Sequence, residues 1–401
     1  MKYIVFLGDG MADEKIASLG NKTPLMVADT PNMDMLAANG VCGLLKTVPE
    51  GLPASSDVAN LSILGYDPAK CSEGRGVLEA AAIGVAMNAD DCAMRLNIIN
   101  VQNGIIKSHS SDNITTEEAH VLIDSLKKEL NINGIELFAG VSYRHVLKLT
   151  DNASTHVNCQ PPHDRLDQPM ENNLPKATDE EGKSTEKLLR EIIFESNKIL
   201  ENHPINLKRA EKGLQKANYC WPWSIGRKPK MESFKEKYNL NGAIISAVDL
   251  LRGIGVYAGL QPIIVEGATG LYNTNYEGKA DAAVDALKEN DFVFVHVEAS
   301  DEASHEGNLD LKIKTIEYLD KRLIGRVLEK TKGMELTAAV LPDHYTPISI
   351  RTHSRHPVPF AICGPNHKPD SVKTFDEETC ANGKYPNALG TEFMNILLTK
   401  K

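Results

Sequence analysis

Three stretches of the chain are apolar runs of strand length, interrupted only by Thr337: residues 3–7, 292–295 and 336–341. A short apolar run bounded by turn residues and without polar alternation reads as a strand covered on both faces, as in a parallel sheet. Each run gives way at once to acids and histidines. Asp9 follows the first within Gly8-Asp9-Gly10, Asp301-x-x-x-His305 follows the second, and Asp343-His344 follows the third, with His353 a little further on. Catalytic groups in an open α/β sheet collect just past the carboxyl ends of its strands. The pattern therefore predicts that residues far apart in sequence meet at one rim.

The rest of the N-terminal part alternates strand and helix signals. A helix is expected at about 26–39 with Pro24 and Pro31 near its ends, a strand at 42–47, and helices after Ser56 and after Arg75. From about residue 92 the pattern changes to strands at 93–101 and 105–108. A helix follows at 115–130, opened by the capping box Thr115-x-x-Glu118, with further strands at 135–139 and 143–149. Residues 150–183 are polar and rich in Pro, Asn, Asp and His, and read as a loop: functional at its start, Pro161-Pro162-His163-Asp164-Arg165, and mobile around 170–183. A helix near 184–203 and a strand at 218–221 follow, and α/β alternation resumes from about 240 to a final helix near 388–399. The expected organisation is α/β: a core of residues 1–95 and 216–401, with a mainly parallel sheet flanked by helices, interrupted by an inserted α+β cap of residues 96–215.

The composition narrows the partners. At 401 residues, 42% hydrophobic and 24% charged, the chain has the profile of a folded globular protein of about two domains. Its formal net charge of -10 argues against a nucleic-acid surface, which needs clustered Lys and Arg. An acidic protein acting on an anion must supply positive charge locally, from metals or a few placed arginines. Seven cysteines, odd in number and without a C-x-x-C pair, fit reduced thiols in the cytoplasm, and neither a secretory signal nor a membrane span is expected.

Carboxylates and imidazoles are ligands for hard and borderline divalent cations, and this mixture suits Mn2+ or Zn2+, with Mg2+ also possible. The Asp301-x-x-x-His305 spacing places both side chains on one face of a helical turn. Taken singly, Asp9 reads as a cap and His305 or His353 as a solvated loop residue; gathered past separate strand ends, they read as a metal site. His296 alternates with apolar neighbours and reads as a core residue or one supporting the ligands. Ser56, where a helix opens, reads either as a cap or as a nucleophile, since a helix N-terminus favours anions and a metal lowers the pKa of a coordinated hydroxyl.

These segments carry a resemblance. Gly8-Asp9-Gly10-Met11-Ala12-Asp13, the stretch Ser55-Ser56-Asp57-Val58-Ala59-Asn60 with its continuation to Pro68, Gly74-Arg75-Gly76 and His296-Val297-Glu298-Ala299-x-Asp301-Glu302-Ala303-x-His305 resemble the archaeal-type cofactor-independent phosphoglycerate mutases of the alkaline phosphatase superfamily, essentially end to end. The resemblance implies two divalent metals, Mn2+ foremost, and no bisphosphoglycerate. One metal would be held by Asp301, His305 and His353, and the other by Asp9, Ser56, Asp343 and His344. It implies that Ser56 takes the phosphoryl group of 3-phosphoglycerate and returns it to the 2-hydroxyl. Arg75, His163 and Asp164 are implied in catalysis, and Arg144 and Arg252 in binding the substrate's anionic groups. Two positions depart from many relatives: Ser55 stands where they have Gly, and Asn60 where they have His.

Two rival readings follow. A phosphatase or phosphotransferase of the same superfamily would act on another small phosphoester or hydroxyl compound, such as homoserine. No G-x-x-x-x-G-K-[ST] loop supports a nucleotide kinase, and Gly253-x-Gly255-x-x-x-Gly259 reads as helix packing. A protein whose ions are only structural is the other rival, and a serine among the ligands argues against it.

Overall fold

The computed structural model describes residues 1–71, 74–150 and 153–399. It divides into two compact units, Met1–Ser72 with Lys230–Lys401, and Glu73–Pro229. The junctions therefore lie outside the expected 95/96 and 215/216. Strand Cys92–Gln102 pairs along its length with Tyr219–Arg227, and helix Arg75–Ala82 packs on both strands, so all three segments belong to the inserted unit.

The first unit is built on an eight-stranded sheet. Its order is Gln261–Ile263, Gly242–Ile245, Phe292–Val297, Lys2–Gly8, Leu336–Leu341, Val358–Cys363, Val41–Lys46, Tyr385–Leu389. Only Val358–Cys363 runs against the others. The three apolar runs read from the sequence are thus neighbours at the middle of the sheet, and all three are parallel. Their residues are buried almost throughout because helices cover both faces. One helix, Asp249–Tyr257, lies so close to the sheet that a Cβ on Gly255 would overlap the Ile244 side chain, which is the packing role expected of that glycine.

The inserted unit has a sheet in which Cys92–Gln102 is flanked by Arg144–Leu149 and Tyr219–Arg227, with Ile135–Phe138 beyond Arg144–Leu149 and Ile105–Ser108 paired directly with the C-terminal end of Cys92–Gln102. Helices Thr116–Glu129 and Lys183–Leu200 supply apolar faces to its core, where Leu122, Leu126, Leu189 and Ile192 meet Met94, Leu96 and Leu147. Thr115 caps the first of these helices, accepting from the N–H of Glu118 at 3.2 Å.

Some expectations need correction. The helix expected at 26–39 is a single turn, Pro24–Val27, followed by Pro31–Ala38, because Pro31 occupies a first-turn position and starts a new helix. The C-terminal helix is Phe393–Leu397, since residues 385–389 extend the sheet instead. Of the expected loop 150–183, residues 151 and 152 lie outside the described residues. The remainder is tied down by short 3-10 turns, by the ladder Val157–Asn158 with Lys176–Ala177, and by Ile106 N–H to Gln168 O at 3.1 Å.

Candidate active site

The middle three strands end at one rim, and the expected residues stand on it. Asp9 occupies the turn directly after Lys2–Gly8, Asp301 and His305 lie on helix Ala299–His305 after Phe292–Val297, and Asp343 and His344 follow Leu336–Leu341. His353 reaches the group from the loop before Val358–Cys363. Ser56 is the first residue of helix Ser56–Ile63, while Ser55 holds the N-cap position and makes no side-chain cap bond. Ser56 is therefore not the cap, and its hydroxyl is left for other work: its Oγ lies 3.2 Å from His344 Nε2.

The ligand atoms form two groups, each spanning no more than 4.8 Å. One comprises Asp301, His305 and His353; the other comprises Asp9, Asp301 and His344, so Asp301 belongs to both. In the first group each imidazole donates its Nδ1–H to a backbone carbonyl, His305 to Arg351 O at 2.9 Å and His353 to Ala54 O at 3.1 Å. Their Nε2 atoms then face each other at 3.1 Å, with His305 Nε2 3.0 Å from an Asp301 oxygen. Such a convergence of lone pairs calls for a shared cation. Hydrogen bonding to Asp301 holds His305 up at about 9, so without a metal a proton serves.

In the second group burial pushes the Asp9 carboxyl well above its ordinary value, and Asp343 and Asp301 push it further. Asp9 Oδ2 accepts from His296 Nε2 at 2.9 Å, while Oδ1 is buried with no hydrogen-bond partner. Burial drives His296 down to about 3, so it is neutral, and its Nδ1 is met by Ser246 Oγ at 3.0 Å. His296, expected as a core residue or one supporting the ligands, is thus fully buried and bonded to Asp9. Asp343 Oδ1 accepts from the N–H groups of Gly10 and His344, and Oδ2 accepts from Asn60 Nδ2 at 3.0 Å. Asn60 thus orients a carboxylate. Three buried acids crowded around one orphaned oxygen are costly without a divalent cation to compensate them, and these donors fit one.

Two neighbours stay out of the ligand groups. Burial pushes Glu298 up to about 8, and His356 turns to Ser354 Oγ at 2.9 Å. Arg252, on a helix packed against Ser56–Ile63, pairs with Asp249 and keeps a buried Nε without a hydrogen-bond partner.

The other expected residues lie in the inserted unit, within a ribbon of aromatic and cationic side chains. Arg95 sits 4.2 Å over the Trp223 ring, Trp223 meets His163 edge-on at 5.3 Å, His163 meets His109 at 6.0 Å, and His109 meets Tyr143 at 5.4 Å. Arg144 closes the ribbon over Tyr143. Asp164 lies 3.7 Å from His163 Nε2, and the Arg75 N–H donates to Ser224 Oγ. Burial lowers the Arg95 guanidinium; Glu79 at 3.0 Å opposes this, and the positive charges of Arg75 and Arg144 add to it. Sequence reasoning missed Arg95, Trp223 and His109. Their signal was a polar alternation, Arg95 and Asn97, between the apolar residues Met94, Leu96 and Ile98 of one strand. Asn97 Oδ1 accepts from Trp223 Nε1 at 3.0 Å and fixes the ring beneath Arg95.

Comparisons with known proteins identify the family. Residues 37–206 match the family model described as 2,3-bisphosphoglycerate-independent phosphoglycerate mutase. The chain is 48% identical to the 2,3-bisphosphoglycerate-independent phosphoglycerate mutase of Methanosarcina barkeri, with 100% of each chain covered. Among solved structures it is similar to the PH0037 protein from Pyrococcus horikoshii, at 31% identity and a TM-score of 0.85, with 100% of this chain and 98% of that one covered. It is also similar to the cofactor-independent phosphoglycerate mutase from Thermoplasma acidophilum, at 28% identity and a TM-score of 0.72, with 99% of each covered. Matched along its whole length at nearly half its positions, the chain belongs to the 2,3-bisphosphoglycerate-independent phosphoglycerate mutase family.

Proposed function

We propose that the protein interconverts 3-phosphoglycerate and 2-phosphoglycerate through a phosphoserine at Ser56, without bisphosphoglycerate, as its family membership supports over the phosphatase and homoserine alternatives. The observation that carries the mechanism is the placement of the Ser56 hydroxyl, 3.2 Å from His344 Nε2 and beside ligand groups that share Asp301. One divalent ion would rest on Asp301, His305 and His353, and the other on Asp9, Ser56, Asp343 and His344. Mn2+ is favoured by the mixture of carboxylates and imidazoles. When bound, the ions would lower the pKa of the Ser56 hydroxyl and neutralise charge on the phosphoryl oxygens.

The chain's own groups do the rest. Ser56 Oγ forms a bond to phosphorus as the bond from phosphorus to the 3-oxygen breaks, and that oxygen takes up a proton. The reverse sequence at the 2-oxygen returns the phosphoryl group and frees Ser56. His163 and Asp164, adjacent on one turn, are the groups proposed to carry the proton between the two hydroxyls. Arg75 and Arg144, with Arg252, are proposed to hold the substrate's carboxylate and phosphate, for which the guanidinium fork is suited. The N-terminal end of helix Ser56–Ile63, with its positive dipole, favours the same negative charge. A cytoplasmic site of action accords with seven cysteines, among which no disulfide forms, and no described helix is long and apolar enough to cross a membrane.

The test is conversion of 3-phosphoglycerate with added Mn2+ and no bisphosphoglycerate, run beside Ser56→Ala. Metal-dependent turnover that disappears in the variant supports the reading. Turnover that survives in Ser56→Ala refutes the nucleophile.

A further inference from the structure

Thr346 is buried, and every polar group it has is committed. Its N–H donates to Ala12 O at 3.3 Å, and its carbonyl accepts from Lys312 Nζ at 3.0 Å. Its hydroxyl lies 2.5 Å from Asp301 Oδ1 and 3.2 Å from His344 Nδ1. The same Lys312 ammonium donates to Ala12 O at 3.3 Å and Asp13 Oδ2 at 2.8 Å, fastening the segment after Asp9 to the segment after His344. The Thr346 hydrogen bond also explains Gly10: at φ +59, a Cβ there would overlap both Asp301 Oδ1 and Thr346 Oγ1.

A hydroxyl carries one proton, and a carboxylate oxygen accepts only. The Thr346 O–H therefore goes to Asp301, and its oxygen accepts the Nδ1–H of His344. In the neutral imidazole, the form that ligates a metal, the tautomer of His344 follows: Nε2 carries no proton and points its lone pair among Ser56 Oγ at 3.2 Å, Asp343 Oδ2 at 3.4 Å and Asp9 Oδ1 at 3.6 Å. Asp301, the other partner of this hydroxyl, is the residue common to both ligand groups.

We infer that Thr346 is a positioning residue for both cation sites at once, its single hydroxyl fixing the tautomer of His344 and the setting of the Asp301 carboxylate. The inference rests on the two-cation reading above. Partners that orient a ligand from behind typically govern metal affinity by about 10- to 100-fold. Serine keeps the hydroxyl; valine keeps the shape and removes it.

The experiment titrates metal-free full-length protein with Mn2+ alone, by calorimetry or equilibrium dialysis, in the wild type, Thr346→Val and Thr346→Ser. Nitrogen NMR of the His344 imidazole reports its tautomer in the metal-free forms. The expected result is two ions in the wild type, both weakened by about 10- to 100-fold in Thr346→Val, and both restored in Thr346→Ser. His344 should hold one tautomer in the wild type and Thr346→Ser, and lose it in Thr346→Val. Unchanged affinity in Thr346→Val, weakening of one ion alone, or failure of Thr346→Ser to rescue would each overturn the inference while leaving two-ion binding intact. A wild type that binds no Mn2+ would overturn the cation reading itself, and this inference with it. Should Thr346→Val fail to fold, Thr346→Ala is measured in the same way with the same outcomes decisive.

Discussion

His296 Nε2 donates to Asp9 Oδ2 at 2.9 Å, across 287 positions of sequence, and leaves the buried Oδ1 of that carboxylate aimed without a partner. A carboxylate tethered through one oxygen presents the other to a cation in a fixed direction. Removal of the tether in His296→Phe is expected to weaken Mn2+ binding by about 10- to 100-fold. His296→Gln, which can place an amide N–H near the same point, is expected to recover part of that loss. Calorimetric titration of the metal-free protein decides, and wild-type affinity in His296→Phe would refute the tether.

Ser56 acts as the group that bonds to phosphorus, so Ser56→Ala is expected to cut turnover by about 10000-fold or more, as happens when a covalent nucleophile is removed. A chelator should abolish wild-type activity, and Mn2+ should restore it. Rapid quenching with phosphorus-labelled substrate should trap label on the wild-type chain and none on Ser56→Ala.

Lys312 and Asp13 form an ion pair at 2.8 Å with both side chains essentially sealed from solvent. Breaking one side of a buried pair strands the other charge, at a typical cost of about 3–5 kcal/mol. Lys312→Met is expected to lose that much in denaturant unfolding, and Lys312→Met with Asp13→Asn to lose less than the single variant. A double variant worse than Lys312→Met would show that the pair is not the source.

Burial pushes the Glu377 carboxyl up to about 7, against hydrogen bonds to Thr23 Oγ1 at 2.6 Å and the Asp13 N–H at 3.0 Å. A raised acid binds a proton in the folded state that the unfolded chain has already released. Its contribution to stability is present below the unfolded value of about 4.3 and is lost as pH rises to about 7. Glu377→Gln cannot ionise. Its stability relative to the wild type should rise between about pH 4.5 and 7 and then level off, measured by urea unfolding at stepped pH. A difference independent of pH would contradict this.

Arg144 is exposed, and its guanidinium lies over Tyr143 at the end of the aromatic ribbon, so its loss should leave the fold intact. Arg144→Ala is expected to raise KM for 3-phosphoglycerate by about 10-fold with a smaller effect on kcat, the signature of lost ground-state binding. Steady-state kinetics beside a thermal melt separate this from a folding defect.

The sequence by itself determined the local facts. Apolar runs at 3–7, 292–295 and 336–341 identify strands buried on both faces, because only such strands dispense with polar alternation. The acids and histidines after them had to lie at strand ends, and the Asp301-x-x-x-His305 spacing put two ligands on one helical face. Tertiary structure alone decided what those residues do together. It made the three strands neighbours, placed Asp301 between two ligand groups, and gave Ser55 the cap position and Ser56 the open hydroxyl. It also set the edges of the inserted unit, since strand pairing between 92–102 and 219–227 leaves no mark in either segment alone. The supporting residues were least legible of all. Nothing in the local sequence marks the roles of Thr346, Lys312 and His296, which come largely from hydrogen bonds to partners 34 to 300 positions away, such as Lys312 to Ala12 and to Thr346; only the bond between Thr346 and His344 is short-range. Local propensity and periodicity read neighbours along the chain, whereas the direction of a ligand's lone pair is fixed by atoms that only the fold brings within 3 Å.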